Sequence, residues 1–515
     1  MTTSARIYNT TSRSLQEIIP LDPDGPLTFY TCGPTVYDYA HIGNFRSFLN
    51  ADILRRTLEF LGHNVRHVMN ITDVGHMTED SVADGGGEDK MAVAGKRLLE
   101  AKKSGALPEG ADIDPSDPYA IADFYAAAFI EDATTLGMKV VEDAENDPSV
   151  MPRPTRWVDE MIQLVERLIE GDHAYVGGDG AVYFAVQSFP SYGELSGNTL
   201  ENLREGQGGR ISEEHQSAKR HHADFLLWKP DASHLMRWPS PWGEGYPGWH
   251  LECSAMALGL LAPTSGPSAG MIDIHSGGED NIFPHHECEI AQSCAVTGAK
   301  EFARTWFHTR HLVVEGEKMS KSTGNFFTVR DLLEKGATPA AIRLELVRTH
   351  YRQNANFTMQ GLRDCGRMID RWCRLRERLR AGHGPASGGP GPLEQALPAF
   401  TEAIADDLNI AKAIAALNEA FNAYSDQPEG DASQVAPELD ALERMDSVLG
   451  VLDRNQVSTS GDAGSDDIDA KVHARTEAKA NKDWAAADAI RDELIGMGIA
   501  IKDGPEGTTW SRIVE

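Results

Sequence analysis

The sequence predicts an α/β protein with a doubly wound parallel sheet, because three successive segments near the N-terminus have the required patterns. Residues 27–33 read LTFYTCG, which alternates and ends in glycine like a buried strand entering a turn. The next segment is FRSFLNADILRRTLEFLG, with an apolar stripe at helical spacing and a closing glycine. A second strand, VRHVMNITD, follows it. A strand, a helix and a strand within about 45 residues form a βαβ unit, which opens a parallel sheet.

The middle of the chain predicts an interruption of this sheet and then its second half. Residues 75–118 are polar, acidic and interrupted by glycine, which indicates an insertion. From about residue 119 to 245, helical patterns and the strand-like AVYFAV predict a connective domain. The strand-rich segments MIDIHSGGED and RTWFHTRHLVV then restore the sheet, so the α/β domain is expected to span residues 1–330.

Three smaller units are expected after the sheet. Thr328 and Asp331 resemble a capping box that opens a helical region at 331–385, which ends in the linker AGHGPASGGPGP. Residues 386–455 predict a bundle of amphipathic helices, and a second linker, VSTSGDAGSDD, follows. The last segment, residues 466–515, is expected to be a small mixed α/β module.

Composition is typical of an ordinary globular protein in a reducing compartment. The 515 residues suffice for three or four domains, and 41% are hydrophobic and 24% charged. Six cysteines in so long a chain do not make a disulfide framework. The N-terminal MTTSARIYNTTSRSLQEIIP lacks the apolar core of a signal peptide, and no apolar run approaches the roughly 18 residues of a membrane span. We therefore expect a cytoplasmic protein with no membrane partner.

The net charge of −30 excludes a general nucleic-acid binder, because phosphate contacts need lysine and arginine. Binding of a nucleic acid would therefore require a local basic surface. One candidate is GLRDCGRMIDRWCRLRERLR, where arginines recur at helical spacing. The alternative is a solvated helix face supported by pairs such as Asp370 with Arg374, and charge alone favours this alternative.

Four separated residues form a candidate metal site: Cys32, Cys253, His285 and Glu289. All three residue types bind zinc, and the i, i+4 spacing of the last two would place both on one helix face. The alternatives are buried free cysteines and an ordinary polar pair. Other residues of the same region also compete as ligands, namely His275, His286, Cys288 and Cys294. Spacing alone does not select Cys32, which is distant in the chain.

Two short segments on either side of these ligands have the chemistry to handle a nucleotide. His41 in HIGN follows the first strand, where an imidazole adds a donor to the partial positive charge of a helix N-terminus. Gly43 allows close approach of a base or ribose. Residues 317–322, EKMSKS, supply Lys318 and Lys321 on a loop that can close over a triphosphate. A capped turn and a solvated basic turn are the respective alternatives.

Five longer sequence words surround these residues: YTCGPTVYDYAHIGN, NITDVGH, GWHLECSAM, FPHHECEIAQS and EKMSKSTGN. Together they resemble the cysteinyl-tRNA synthetase family of class I, from about residue 28 to the C-terminus. The resemblance implies a Rossmann-type catalytic domain with an inserted connective domain, a helical bundle and an anticodon module. It also implies ATP-dependent activation of L-cysteine to cysteinyl-adenylate and transfer to tRNA(Cys), with Mg2+ accompanying ATP. A monomer is the default for the family.

The same resemblance assigns residues to four tasks. One zinc ion is held by Cys32, Cys253, His285 and Glu289. ATP is handled by His41, Gly43, Asn44, Asp280, Lys318 and Lys321, with Lys321 as the principal lysine. The cysteine pocket includes Gly33, Thr72, Trp249 and His275, for which the alternative is buried polar groups at strand ends. Anticodon contacts are assigned to Trp484, Asp488 and Asp503, with helix packing as the alternative role of the tryptophan.

Two positions depart from the family's usual pattern. The commoner signature ends in histidine where this chain has Asn44, which donates a hydrogen bond but carries no charge. Arginine is usual where this chain has Lys479, and replacing the planar guanidinium by an ammonium softens a bidentate contact with guanine. The share of Asn44 in catalysis and the contact of Lys479 with a base are therefore open.

Zinc would give such an enzyme a way to select cysteine. Serine differs from cysteine by one atom, and a shaped pocket separates near-isosteres by only about a hundredfold. Zinc binds and deprotonates a thiol whose ordinary pKa is about 8.5, whereas a hydroxyl does not compete at neutral pH. This chemistry predicts an open coordination position or a weakly held fourth ligand.

Two rival functions are less well supported. A ligase that transfers cysteine to a small amine, as in the mycothiol pathway, would lack the final module that this chain has. A non-catalytic paralogue that binds zinc or nucleic acid would have no reason to keep both His41 and KMSKS.

Overall fold

The computed structural model describes residues 4–76, 88–104, 113–198, 218–320, 324–385, 389–425, 435–454, 465–480, 483–496, 499–504 and 507–512. The chain opens with an antiparallel hairpin of β1 (Arg6–Asn9) and β2 (Ser14–Glu17), which the sequence patterns did not predict. The hairpin adjoins the main sheet, because the Thr10 amide donates to the Trp306 carbonyl at 3.0 Å.

The predicted βαβ unit follows the hairpin and is confirmed. It consists of β3 (Leu27–Thr31), α1 (Ile42–Phe60) and β4 (Val65–Met69). Strands β9 (Ile272–Gly278) and β10 (Ala303–Thr309) complete a parallel sheet of order β10–β9–β3–β4. The strand order therefore reverses between β3 and β9, since the chain adds β4 on one side of β3 and later adds β9 and β10 on the other. The carboxyl ends of β3 and β9 form the crevice where such sheets bind ligands.

The two halves of this sheet are separated by helices and by a second, antiparallel sheet. The helices are α2 (Lys90–Ser104), α3 (Pro118–Thr135), α4 (Lys139–Ala144) and α5 (Val158–Glu170). The sheet follows chain order through β5 (Ala174–Val176), β6 (Val182–Phe184), β7 (Phe225–Pro230) and β8 (Gly245–Pro247). The segment AVYFAV thus contains a strand, as expected, and the described part of the insertion is largely helical.

Two further helices and a small sheet connect the main sheet to the C-terminal half. Helices α6 (Trp249–Leu261) and α7 (Glu287–Thr297) flank β9 in the chain. The small sheet has the order β12 (Glu317–Lys318), β11 (Leu312–Val314) and β13 (Ala355–Phe357). After it come α8 (Val329–Glu334), α9 (Pro339–Val347) and α10 (Met359–Arg380). The predicted capping box of Thr328 and Asp331 forms at the start of α8, whereas β13 interrupts a segment expected to be helical throughout.

The C-terminal part is helical and then mixed, as expected. The bundle consists of α11 (Pro392–Ala405), α12 (Ile410–Ser425) and α13 (Val435–Leu449). The last module has α14 (Ser465–Ala480), α15 (Trp484–Gly496), β14 (Ile499–Gly504) and β15 (Gly507–Arg512). One apolar core continues from α1 through α9 into the bundle, with Phe45, Leu344 and Met445 among its buried members.

The basic segment GLRDCGRMIDRWCRLRERLR lies in α10, and some of its arginines form ion pairs with acidic residues of the same chain. Its apolar face is buried through residues such as Ile369 and Trp372. On the other side, Arg376 contacts Asp453 at 2.5 Å and Arg380 contacts Glu443 at 3.2 Å. Among the helices that the structure describes, none combines the length and apolarity that crossing a bilayer requires.

Candidate active site

The four proposed metal ligands meet at the switch point of the main sheet. Cys32 directly follows β3, and its amide donates to the Ser276 carbonyl of β9 at 3.0 Å. Cys253 lies on α6, which packs over these strands. His285 lies in a short π-helical turn, residues Ile282–His286, and Glu289 follows in the first turn of α7. The two are therefore not on one continuous α-helix, but their side chains still face each other.

The arrangement of these four donors fits a tetrahedral zinc ion. All four side chains are buried, and their donor atoms lie within 4.8 Å of one another. The Cys32 and Cys253 sulfurs are 3.8 Å apart, and two sulfurs bound tetrahedrally at about 2.3 Å from zinc would be about 3.8 Å apart. Glu289 Oε1 lies 3.6 Å from Cys32 Sγ and 3.1 Å from His285 Nε2. A small cation at the centre would contact all four donors.

A second set of donors overlaps the first. Cys32 and Glu289 also lie within 4.8 Å of His275 and His286, two of the competitors named from the sequence. His275 Nε2, however, contacts the other oxygen of Glu289, Oε2, at 2.9 Å. This hydrogen bond orients the carboxylate so that Oε1 points at the cluster, which is the usual task of a residue behind a metal ligand. Cys288 and Cys294 belong to neither set.

Burial sets the protonation state that the donors have without a cation. Burial, followed by the proximity of Cys253 and Glu289, raises the pKa of the Cys32 thiol well above its usual value. Burial likewise lowers the pKa of His285 well below its usual value, so its imidazole is neutral and has a lone pair for a metal. Thiols in such a pocket ionise only when a cation compensates the charge.

The two signature segments contact each other at the start of α1. The Ile42 amide donates to the Phe327 carbonyl at 3.0 Å, which joins HIGN to the chain that follows KMSKS. A Cβ on Gly43 would lie 2.6 Å from Met319 Cε, so the missing side chain also makes room for the KMSKS methionine. Lys318 is exposed at the end of β12, and Lys321 lies outside the described residues.

His41 and Asn44 cap the helix that they begin. His41 Nδ1 accepts from the Asn44 amide at 3.2 Å, and Asn44 Oδ1 accepts from the His41 amide at 3.1 Å. This reciprocal pair is a capping box, with asparagine and histidine in place of the usual glutamate and serine. Asn44, which stands where histidine is commoner, therefore helps to stabilise the start of α1.

Replacing Asn44 by alanine should lower the free energy of unfolding by about 0.5–1 kcal/mol, because one bond of the capping box is lost. Urea denaturation measures this difference. Asn44→Asp is the matched control: it keeps the acceptor and should retain stability, but its charge should raise the KM for ATP by repelling the phosphates. Equal stability of Asn44→Ala and the unchanged protein would contradict the structural role.

The remaining pocket residues surround the donor cluster. A Cβ on Gly33 would lie 1.7 Å from the Asn70 carbonyl oxygen, so only glycine fits there. Asn70 links Gly33 to Thr72, accepting from the Gly33 amide and donating to the Thr72 hydroxyl, each at 2.9 Å. The Trp249 ring lies 4.5 Å from the ring of His285.

Several residues of the site were not predicted as functional. His250 Nδ1 lies 2.9 Å from His285 Nδ1, and His286 Nδ1 lies 2.7 Å from His308 Nε2. Asn70 and His250 stand inside sequence words that carried the resemblance, which was a usable signal. His308 lies in a strand segment whose sequence did not indicate that it contacts His286.

Asp280 lies at the rim of the crevice and is separate from the donor cluster. It belongs to the short turn after β9 and is 73% exposed. His311 bridges it to its neighbour, because Nδ1 is 3.1 Å from Asp280 and Nε2 is 2.9 Å from Glu279. The carboxylate is accessible to a ligand at the crevice.

The proposed anticodon residues lie on the terminal module. Trp484 starts α15, and its side chain is 60% exposed. Asp488 lies one turn further and pairs with Arg491 at 3.0 Å. Lys479 is near the end of α14, and the side chain of Asp503 is outside what the structure describes.

Comparison with known proteins gives matches along the whole chain. Three family profiles match: "tRNA synthetases class I (C) catalytic domain" over residues 21–366, "DALR domain" over 399–453, and "Cysteinyl-tRNA ligase anticodon binding domain" over 462–510. The cysteine–tRNA ligase of Salinibacter ruber is 40% identical over 537 residues, covering 98% of each chain. That of Chlamydia pneumoniae is 40% identical over 510 residues, covering 97% of this chain and 96% of its own.

Solved structures share the fold at low sequence identity. A Mycobacterium tuberculosis methionyl-tRNA synthetase bound by methionyl-adenylate has a TM-score of 0.51 at 13% identity, covering 83% of this chain and 90% of that one. An Agrobacterium radiobacter LeuRS in a ternary complex with tRNA and LeuAMS has a TM-score of 0.55 at 13% identity, covering 87% of each. These similarities confirm the expected α/β architecture.

Proposed function

The chain belongs to the cysteine–tRNA ligase family of class I tRNA synthetases, and from this premise we propose that it activates L-cysteine with ATP and transfers it to tRNA(Cys). The observation that carries the proposal is the buried cluster of two thiols, an imidazole and a carboxylate at the switch point of the sheet. A site that handles ATP and also selects a thiol needs such donors beside a nucleotide-binding helix N-terminus.

We propose that Cys32, Cys253, His285 and Glu289 hold one zinc ion. A zinc ion there supplies a strong bond to a thiolate, which a serine hydroxyl does not match at neutral pH. His275 keeps Glu289 oriented through its bond to Oε2. Trp249 packs on His285 and, with Gly33 and Thr72, shapes the space in which the rest of the amino acid lies.

The nucleotide is proposed to bind at the N-terminus of α1, accompanied by Mg2+. His41 offers a ring N–H to the phosphates at the partial positive charge of the helix N-terminus, and Gly43 leaves room beside it. The carboxylate of cysteine attacks the α-phosphate and pyrophosphate leaves. Lys318 and Lys321 are proposed to neutralise charge that develops on the phosphates, so their contribution appears in the transition state. The exposed carboxylate of Asp280 is proposed to accept hydrogen bonds from the nucleotide.

The terminal module is proposed to read the anticodon. Trp484 presents an exposed aromatic face on which a base can stack, and Asp488 lies one helical turn away. Asp503 is retained as a base contact from the resemblance alone. We also propose domain boundaries at residues 330, 385, 455 and 466, which the capping box and the two linkers support.

Replacing Trp484 by alanine should lower kcat/KM for tRNA charging by about 5- to 150-fold, because one stacked base is worth about 1–3 kcal/mol. Cysteine-dependent pyrophosphate exchange should be unchanged. Trp484→Phe is the matched control and should keep most of the charging activity. Removal of residues 466–515 should act in the same direction and more strongly. Equal loss of exchange and charging would mean that the module supports the catalytic domain instead.

The decisive experiment measures cysteine-dependent ATP–pyrophosphate exchange and then charging of tRNA(Cys), with serine in place of cysteine as the control. Exchange and charging with cysteine support the proposal. Exchange without charging, but with transfer to a small amine, would favour the amine ligase, and absence of exchange would favour the non-catalytic paralogue.

The physiological setting is also a proposal. All six cysteines are free thiols, which supports a reducing location such as the cytoplasm. A monomer is proposed from the family.

A further inference from the structure

A buried charged cluster joins the helix that starts with the HIGN signature to the helical bundle. It consists of Asp52 and Arg56 on α1 and Arg343 on α9, and we call it the arginine hub. Asp52 Oδ2 accepts from Arg56 Nε at 2.7 Å and from Arg343 Nη2 at 2.5 Å. Arg343 is fully buried and Asp52 is 2% exposed, so these ion pairs are shielded from solvent.

Both arginines also donate to the C-terminal ends of two other helices. Arg56 donates to one carbonyl at each end. Arg343 donates to one carbonyl at the end of α13 and to two after α3, the second of them, Gly137, at 3.4 Å. The acceptors are Leu136 and Gly137 just after α3, and Ser447 and Leu449 at the end of α13, and the other four bonds are 2.6–3.1 Å long. The hub therefore bonds four helices that come from the nucleotide-binding unit, the connective region, the segment after the main sheet and the bundle.

Negative groups around the arginine hub offset its net positive charge, and Asp446 on α13 is one of them. Two arginines and one aspartate leave one formal positive charge, and each helix C-terminus contributes about half a negative charge. Burial raises the pKa of Asp52, but Arg56 and Arg343 lower it more, so the carboxyl is ionised. An apolar side chain at Arg343 would leave buried carbonyls and a buried carboxylate without their donor, which is costly.

We propose that Arg343 is a positioning residue for the transfer step, because the arginine hub sets the orientation of the bundle relative to α1. This inference rests on the proposed function. The bundle directly precedes the terminal module in the chain. The hub residues Asp52 and Arg56 lie on α1, the helix that His41 begins and at which ATP is proposed to bind. A tRNA held at the terminal module reaches the adenylate with its 3′ end only if this orientation is kept.

Cysteine activation does not depend on this orientation in the same way. The donor cluster is built at the carboxyl ends of β3 and β9 and on the helices beside them, whereas the α1 N-terminus contacts Phe327 and Thr328. Among the described residues, these contacts include none from the bundle. The two half-reactions therefore separate the positioning role from a general role in folding.

The test replaces Arg343 by lysine, which keeps the charge but loses the planar fork, and by methionine, which loses both. Pyrophosphate exchange with cysteine should stay within about twofold in Arg343→Lys, and urea denaturation shows whether Arg343→Met is folded well enough to be compared. The kcat of charging should fall by about 10- to 100-fold, while the Kd for tRNA stays within about threefold, because misplacement by about 1 Å is enough for such a loss. Arg348→Met is the matched control, since Arg348 directly follows α9 and its 2.6 Å partner is Glu345 on that helix.

The outcomes separate cleanly. Loss of exchange and charging together in Arg343→Lys, including loss through unfolding, would overturn the proposal, as would unchanged charging in Arg343→Met. A loss expressed only as weaker tRNA binding would also overturn it. Absence of cysteine-dependent exchange in the unsubstituted chain would instead contradict the proposed function, before any variant is compared.

Discussion

Cys253→Ala is expected to lose its bound zinc and to lose cysteine activation by more than about 100-fold. Removing a residue behind a metal ligand already costs about 10- to 100-fold, and a ligand itself should cost more. The measurements are metal content after desalting and ATP–pyrophosphate exchange with cysteine. His285→Ala should behave in the same way, since its Nε2 lies 3.1 Å from Glu289 Oε1 in the same cluster.

Cys294→Ala is the matched control for this loss. Cys294 is a buried cysteine on α7, the helix that carries Glu289, but it belongs to neither set of possible ligands. It should keep its zinc and its exchange activity. A Cys253→Ala protein that retains zinc and normal exchange would contradict the proposed ligand set. The metal would then be assigned to the set with His275 and His286, and those two residues would be replaced next.

His41→Asn is expected to lower the rate of cysteinyl-adenylate formation by about 100- to 1000-fold with little change in stability. Asparagine is a good N-cap, so it can accept from the Asn44 amide as His41 Nδ1 does. It does not replace the imidazole as a donor to charge that develops on the phosphates, and loss of one such donor typically costs this much. Single-turnover adenylate formation measures the rate, and urea denaturation measures the stability.

Binding of cysteine distinguishes this effect from a damaged pocket. The affinity for cysteine and the zinc content should be unchanged in His41→Asn, because the donor cluster lies at the end of β3 and not on α1. Lys321→Ala should also slow adenylate formation more than it weakens cysteine binding. Adenylate formation within about twofold of the unsubstituted rate in His41→Asn would rule out the role given to the signature.

Local patterns were sufficient to predict the first half of the fold. The strand at Leu27–Thr31, the following helix and the parallel partner strand were each readable from a short segment, and the capping box at Thr328 was predicted from two residues. The hairpin at Arg6–Asn9 was missed because its second strand, Ser14–Glu17, is exposed along its whole length and has no apolar alternation to detect.

Those local patterns did not predict contacts between residues that are far apart in the chain. Arg343 and Asp52 are 291 residues apart, and neither position shows by spacing that it is buried or paired. The orientation of Glu289 by His275 is another example. From the residues alone, His275 was interpreted only as a competing metal ligand. The choice of Cys32 as a ligand came from the resemblance, and the fold then supplied the physical reason, which is the adjacency of β3 and β9.

Helix α1 predicts where this enzyme would tolerate change during evolution or redesign. The helix was expected to have one apolar face, yet fourteen of its nineteen residues are buried. Its polar side chains are engaged as well: Arg46 alone donates to the backbone carbonyls of five residues, Arg310, Leu346, Thr349, His350 and Gln353. A mutational library aimed at new amino-acid substrates should therefore leave this helix untouched and keep the proposed ligands Cys253 and His285. It should vary Trp249 at the start of α6, whose ring lies against that of His285.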